Sequence, residues 1–251
     1  MLRAAKQHFD EDIQRATTLL THGKGLPAGV LRGDILRAAW MMAVGACDAY
    51  FCDAYGDLIA RTLQAKELEP NIDIPDRLNN LRVPVIAIIR QGHGGWRWRM
   101  AARALIEDEN VLSLEKIKML FNHFFRQNHK IFAQQTIEKW ILHRQAKVRL
   151  FGITPTAFRA LVGSAKNRAK KDALKKFQDC FEQIFQRRHD CIHNCDRPKM
   201  AVQGINDVIV EKRIQDVTFL VERCHEALIA EFPHYLSDLG FSGVIRNRVC
   251  A

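Results

Sequence analysis

Residues 165–194 read AKNRAKKDALKKFQDCFEQIFQRRHDCIHN, and their periodicity decides the fold class. Apolar side chains stand at Leu174, Phe177, Phe181 and Ile184, and the same +3, +4 stepping runs on through Arg188 to Cys191 and Cys195. That is the period of a helix with one face turned to a core. Gly163 and Ser164 punctuate the chain ahead of it, with Ser164 a candidate cap. Pro198 stops it, because the residue before a proline avoids the α region. The stripe also places Arg188 where a core residue is expected. A guanidinium keeps its charge, and burying it unpaired is costly, so it must meet an acid, a subunit partner or an anionic ligand.

The helical period extends outward in both directions. His8 to Thr21 is amphipathic. Asp34, after Gly33, is a candidate N-cap for a long helix from Asp34 to Gln64. Trp96–Glu107, Leu112–Arg126 and Gln135–Lys147 read as further helices. Thr154-Pro155 is a helix start, since proline at the first helical position loses no needed hydrogen bond. A last helix runs from Asp207 or Val210 to Phe232. Between them, Glu69–Gly95 carries Pro70, Pro75 and Pro84, then Gly92, Gly94 and Gly95, which marks an irregular insertion; Leu81–Ile89 is expected to form a short strand or helix within it. Strand signal is nearly absent and no repeat is visible. The expectation is an all-α helical bundle, one domain over residues 1–251.

Composition sets the class of partner. The chain has 251 residues, 47% of them hydrophobic, which is too apolar for a disordered protein. The most apolar stretch, Ala38–Ala60, is broken by Asp48, Asp53 and Asp57, so no membrane span is expected. Met1–Ile13 lacks the apolar core of a secretory signal. With seven cysteines and no such signal, a cytoplasmic chain with reduced thiols is expected. Lys and Arg number 38 against 28 Asp and Glu, a formal charge of +10. From Ile141 to Lys176, ten basic residues stand against the single acid Asp172, a balance of +9. Its helical part holds Lys166, Arg168, Lys170, Lys171, Lys175 and Lys176. Such a cluster suits a phosphate backbone, RNA or DNA, and equally a solvated helix face.

The tract leads into the polar end of the same helix: Arg187, Arg188, His189, Asp190, His193 and Asn194. His189 and His193 are i, i+4 neighbours on one face. The run Arg188-His189-Asp190-Cys191-Ile192-His193 resembles the R-x4-H motif of HEPN domains, in which a polar residue follows the arginine. The helix from Leu36 through Asp48 to Tyr50 resembles the acidic N-terminal helix of the RiboL-PSP branch of that superfamily. The likeness extends from the Asp34 helix to the last helix; Glu69–Gly95 has no counterpart in it.

The resemblance implies a metal-independent endoribonuclease, often a toxin or antiviral-defence effector. It also implies a homodimer with a shared active site and, in some systems, a separate antitoxin such as a nucleotidyltransferase. No cofactor or metal is called for. The residues suit that chemistry. RNA carries its own nucleophile, the 2′-OH. Histidine moves protons near neutral pH, and arginine neutralises charge building on the phosphate. His193 is then the acid–base group and Arg188 the phosphate group. His189, Asp190 and Asn194 assist, and Asp48 supports the site from the earlier helix. Arg187 gives the alternative R-x5-H reading. The competing readings are an Arg–Asp pair that merely joins helices or subunits, and a non-catalytic RNA-binding or oligomerisation module of the same fold.

Two other motifs are weighed. His189/His193 and Cys191/Cys195 lie about 200° apart on a helix, so the four cannot reach one zinc ion. The run Gln91–Arg99, with Trp96, Arg97, Trp98 and Arg99, is either a base-stacking element or a surface turn.

Overall fold

Ala, Leu, Ile and aromatic residues occur on nearly every side of residues 36–65, so a helix there has to be enclosed rather than laid on a surface. In the computed structural model this is α2 (Val30–Leu68), the central helix of an all-α bundle. The structure describes residues 1–79, 98, 111–197 and 201–251 (at Arg77 the backbone only). It is 77% helical, with no strand among the described residues, which establishes the all-α class. Helix α1 (Arg3–Gly25) lies along α2, and the one-turn α3 (Asp76–Asn79) follows it. Then come α4 (Leu114–Phe121), two 3-10 turns at Asn122–Phe124 and Gln127–His129, α5 (Gln134–Ile141), α6 (Val148–Phe151) and α7 (Pro155–Arg159). The long α8 (Gly163–His193) and α9 (Asp207–Asp238) both pack on α2, and α10 (Gly243–Cys250) closes the end of the bundle beside α2 and α9.

Local chemistry explains four of the helix starts. Ser113, Thr154, Asn206 and Ser242 each accept the backbone N–H three residues on, capping α4, α7, α9 and α10. Several boundaries differ from the sequence expectation. Helix α2 begins four residues before Asp34, which is therefore not a cap but an exposed residue inside the helix, 3.3 Å from Arg37. Ser164 is likewise inside α8, which starts at Gly163. Helix α9 runs through Pro233 to Asp238 rather than stopping at Phe232. Phe232, Tyr235 and Leu236 are buried and continue the stripe across the proline, and Ile229, whose carbonyl loses its partner, is on the exposed side. The regions expected as Leu112–Arg126 and Gln135–Lys147 each divide into a short helix and a turn.

By length and composition α2 would also be apolar enough to cross a membrane. Here it is the element against which α1, α8, α9 and α10 pack, and Asp48, Asp53 and Asp57 interrupt it. Of the 69–95 segment, residues 69–79 are described. Lys66 donates to the carbonyls of Pro70 and Ile72, and Ile74 and Leu78 are buried, so the first stretch folds back on the end of α2. The elements expected at Leu81–Ile89 and Trp96–Glu107, and the Gln91–Arg99 run except Trp98, lie outside the described residues. The indole of Trp98 donates to Glu67.

Candidate functional site

Helix α8 presents two different sides at its C-terminal end. Phe177, Phe181 and Ile184 are buried against the bundle, and the indole of Trp40 on α2 donates to the Ile184 carbonyl at 3.3 Å. That bond fixes the height of α8 on α2. One turn later the stripe loosens: Arg188 and Cys191 are half-buried and Cys195, beyond the helix, is exposed. The stripe thus ends in a cleft rather than in core.

The cleft has a volume of about 450 Å³ and is lined by Ser113, Glu115, Phe185, Gln186, Arg188 and His189, among others. Arg188 makes no hydrogen bond or close ion pair to the described residues. Its electrostatic partner is Asp48, on the facing side of α2. Burial pushes the Asp48 carboxyl above the ordinary aspartate value, while Arg188 and the Val111 N–H draw it part of the way back. The Oδ1 atom of Asp48 is buried without a hydrogen-bond partner among the described residues. The structure therefore brings Asp48 and Arg188 into one electrostatic unit, with donors on the guanidinium unused among the described residues.

His189 and His193 are exposed, with ring centroids 4.3 Å apart and planes tilted by 37°. His189 lines the cleft with Arg188. His193 stacks on the outside of His189 in the last turn. Asn194 is exposed at the C-cap position.

Arg187 and Asp190 do other work. Asp190 is buried, accepts from Gln186 at 2.9 Å, and is 3.5 Å from the Gln203 amide. Arg187 lies over the Trp40 ring and pairs with Asp196 at 2.8 Å, while Arg37 of α2 pairs with the same carboxylate at 2.6 Å. Asp196 is fully buried. Arg37 and Arg187 also donate to carbonyls of Gln203 and Gly204, so two guanidinium groups hold both sides of the loop after α8. The backbone turns there at Cys195 and Asp196, with φ of 48° and 59°. Cys191 sits against this knot, and burial with the neighbouring Asp196 raises its thiol to about 11. A second cleft of about 600 Å³ opens on this side, walled by Trp40, Arg187, Asp190 and Gln203. Glu182 and Gln186 form the ridge between the two clefts.

Sequence reasoning missed Asp196, Gln203 and the role of Arg37. The available signal was an aspartate just past the helix end, where an αL turn is tolerated. The basic tract is also rearranged. Lys166 and Lys170 both pair with Glu138 of α5, at 2.5 and 3.2 Å, and Arg149 pairs with the buried Asp216 at 2.8 Å. Arg168 makes a marginal 3.9 Å contact with Asp172. Lys171, Lys175 and Lys176 are exposed and make no ion pair among the described residues. Between them and the cleft, α8 carries the exposed acids Asp179 and Glu182.

All seven cysteines are free thiols, and Cys47, Cys180 and Cys224 are buried. Among the described residues no group of three or more His, Cys, Asp or Glu side chains is arranged to hold a metal ion. Comparisons with protein-family models, with curated proteins and with solved structures gave no match.

Proposed function

We propose that this chain is a metal-independent endoribonuclease of the HEPN type, with Arg188, His189 and His193 as its working groups. The observation that supports this most is Arg188: a half-buried guanidinium, balanced electrostatically by Asp48, opening onto a cleft beside an exposed histidine pair. A purely structural arginine would be expected to spend its donors on the protein, as Arg187 does. In this reading Arg188 binds a phosphate oxygen and stabilises the charge that builds there. One histidine takes the proton of the 2′-OH as that oxygen attacks phosphorus. The bond to the 5′-oxygen breaks, and a proton is returned to the leaving oxygen. The products are a 2′,3′-cyclic phosphate and a 5′-OH end. Asp48 acts through Arg188 as a positioning residue. The exposed Lys171, Lys175 and Lys176 would hold RNA outside the cleft, and a second copy of the chain would complete the site. A toxin or antiviral-defence role in the cytoplasm, with or without an antitoxin, belongs to the same proposal.

A specific observation also favours the non-catalytic module. Arg187 and Asp190 are committed to holding the loop after α8, so part of the motif has a structural task. Incubation of the purified chain with total RNA in EDTA separates the two. Ribonuclease activity predicts cleavage with cyclic-phosphate ends, and a loss on the order of 10²–10⁴-fold in His193→Ala and Arg188→Ala. Equal activity in these variants would sink the site, and a requirement for a divalent metal would sink the mechanism. RNA retention without cleavage would select the binding module.

A further inference from the structure

The two histidines have a second chemical capacity. A four-residue spacing on a helix puts their Cβ atoms about 5–6 Å apart on one face. Two imidazole nitrogens bound to one ion at about 2.05 Å, in tetrahedral geometry, lie roughly 3.3 Å from each other. Rings whose donor nitrogens meet on one ion at that distance have centroids roughly 4.5–5 Å apart. Those of His189 and His193 are 4.3 Å apart, so a small splaying that turns their edges inward brings them onto one ion. Both side chains are exposed, and among the described residues no hydrogen bond holds either ring against the turn. The pair also occupies the last turn of α8, a 31-residue helix whose C-terminal dipole favours a cation. Asp190 cannot compete as a ligand, being buried under Gln186 and Gln203.

We propose that His189 and His193 form a two-imidazole chelating site for a borderline divalent transition-metal ion of the Zn²⁺/Ni²⁺ class, its remaining positions filled by water, and that occupation of this site blocks the chain's activity on RNA. Imidazole suits these ions better than Mg²⁺ or Ca²⁺, which seek oxygen. The four-residue His/Cys cluster weighed from the sequence fails because Cys191 lies on the opposite side of the helix and Cys195 lies past its end. The two-residue pair needs neither. A bound metal takes the lone pair of each imidazole, and a histidine without a lone pair cannot accept a proton. The blocking half of the proposal rests on the ribonuclease reading; the binding half does not.

Calorimetric titration of the untagged chain with NiCl₂ tests the binding half. Ni²⁺ is the probe because thiolates compete for it less than for softer ions. One ion per chain is expected. His189→Ala and His193→Ala should each weaken it roughly 10²-fold, because losing one donor removes the chelate. Cys195→Ser should bind as the wild type does. Undiminished binding in both histidine variants, or loss in Cys195→Ser, would overturn the site. Both histidines are exposed, so the variants are expected to fold, and unchanged melting temperatures in EDTA check this. In the second arm, RNA cleavage in EDTA is compared with cleavage in saturating Ni²⁺. Inhibition that EDTA reverses supports the block. Stoichiometric binding with undiminished cleavage overturns it. No cleavage in either condition, with binding intact, removes the ribonuclease reading and its block but leaves the metal site standing.

Discussion

Replacing Asp196 by alanine should cost more stability than any other single change near the end of α8. Its carboxylate is 0% exposed and is held by Arg37 at 2.6 Å and Arg187 at 2.8 Å, each 14% exposed. Removing it leaves two nearly buried guanidinium groups facing each other, Arg187 without a counter-charge among the described residues and Arg37 with only the exposed Asp34 at 3.3 Å. Breaking a buried pair from one side costs about 3–5 kcal/mol, because the surviving charge has lost its solvation and its partner. Unfolding entropy of about 2.1 cal/mol/K per residue gives about 0.5 kcal/mol/K for a chain of this length, so about 4 kcal/mol lowers the melting temperature by roughly 8 °C. Asp196→Asn keeps the shape and one acceptor, and should fall between wild type and alanine. Arg187→Ala leaves Asp196 paired with Arg37 and should cost less than Asp196→Ala. Urea and thermal melts of the three variants measure this ordering. If Asp196→Ala melts within about 2 °C of wild type, the arginines find water or each other tolerable, and the knot does not hold the loop.

Two more outcomes concern other ion pairs of the fold. Burial alone would raise Glu231, but hydrogen bonds from Arg126 and His129 outweigh it and hold the carboxyl at about 2. Its folded value lies below its unfolded value, so its contribution is present above the ordinary glutamate range and is lost as pH falls from about 4.5 toward 2. Glu231→Gln should cost about 1–2 kcal/mol at pH 7, a figure reduced for partners that are 38% exposed, and should cost little at pH 2; pH-dependent melts with an equal loss at both ends would refute it. Among the lysines, the combined Lys171, Lys175 and Lys176 alanine variant should lower the salt slope of RNA binding by about 2, near 0.7 per lost phosphate contact. The Lys166 and Lys170 alanine pair, whose ammonium groups already belong to Glu138, should leave it unchanged, and equal slopes for the two variants would refute that assignment.

The features legible in the sequence are those set by local periodicity and local chemistry. The stripe Leu174, Phe177, Phe181 and Ile184 gave α8 and its buried side, and Thr154-Pro155 gave the start of α7. The failures came where a tertiary contact outranks a local rule. Pro233 reads as a stop, but burial of Phe232, Tyr235 and Leu236 carries the helix past it. Asp34 reads as a cap, but α2 begins earlier at Val30. The odd position of Arg188 was visible as a break in the apolar pattern; that Asp48 faces it was visible only as an acid on another helix. Arg187 and Arg188 are adjacent and chemically identical in the sequence. A rotation of about 100° between successive residues sends one toward Asp196 and the other toward the open cleft.

That rotation also bears on how the basic tract could serve the cleft. Lys176 and Arg188 are twelve residues apart on one helix, about 18 Å at 1.5 Å per residue. At physiological salt the screening length is about 8 Å, so the exposed lysines are two screening lengths from the motif. Asp179 and Glu182 stand in between and oppose them. The tract therefore cannot raise the local potential at Arg188 by much. If the chain is the proposed ribonuclease, the tract serves to tether a strand, and Arg188 has to bind its own phosphate in the cleft. Tethering and chemistry then separate: tract variants should raise KM and leave kcat, whereas loss of Arg188 should lower kcat, because its contact strengthens only as charge builds on the phosphate. A tract variant with an unchanged KM and a lowered kcat would mean that the lysines act on the reacting phosphate, and would refute this separation.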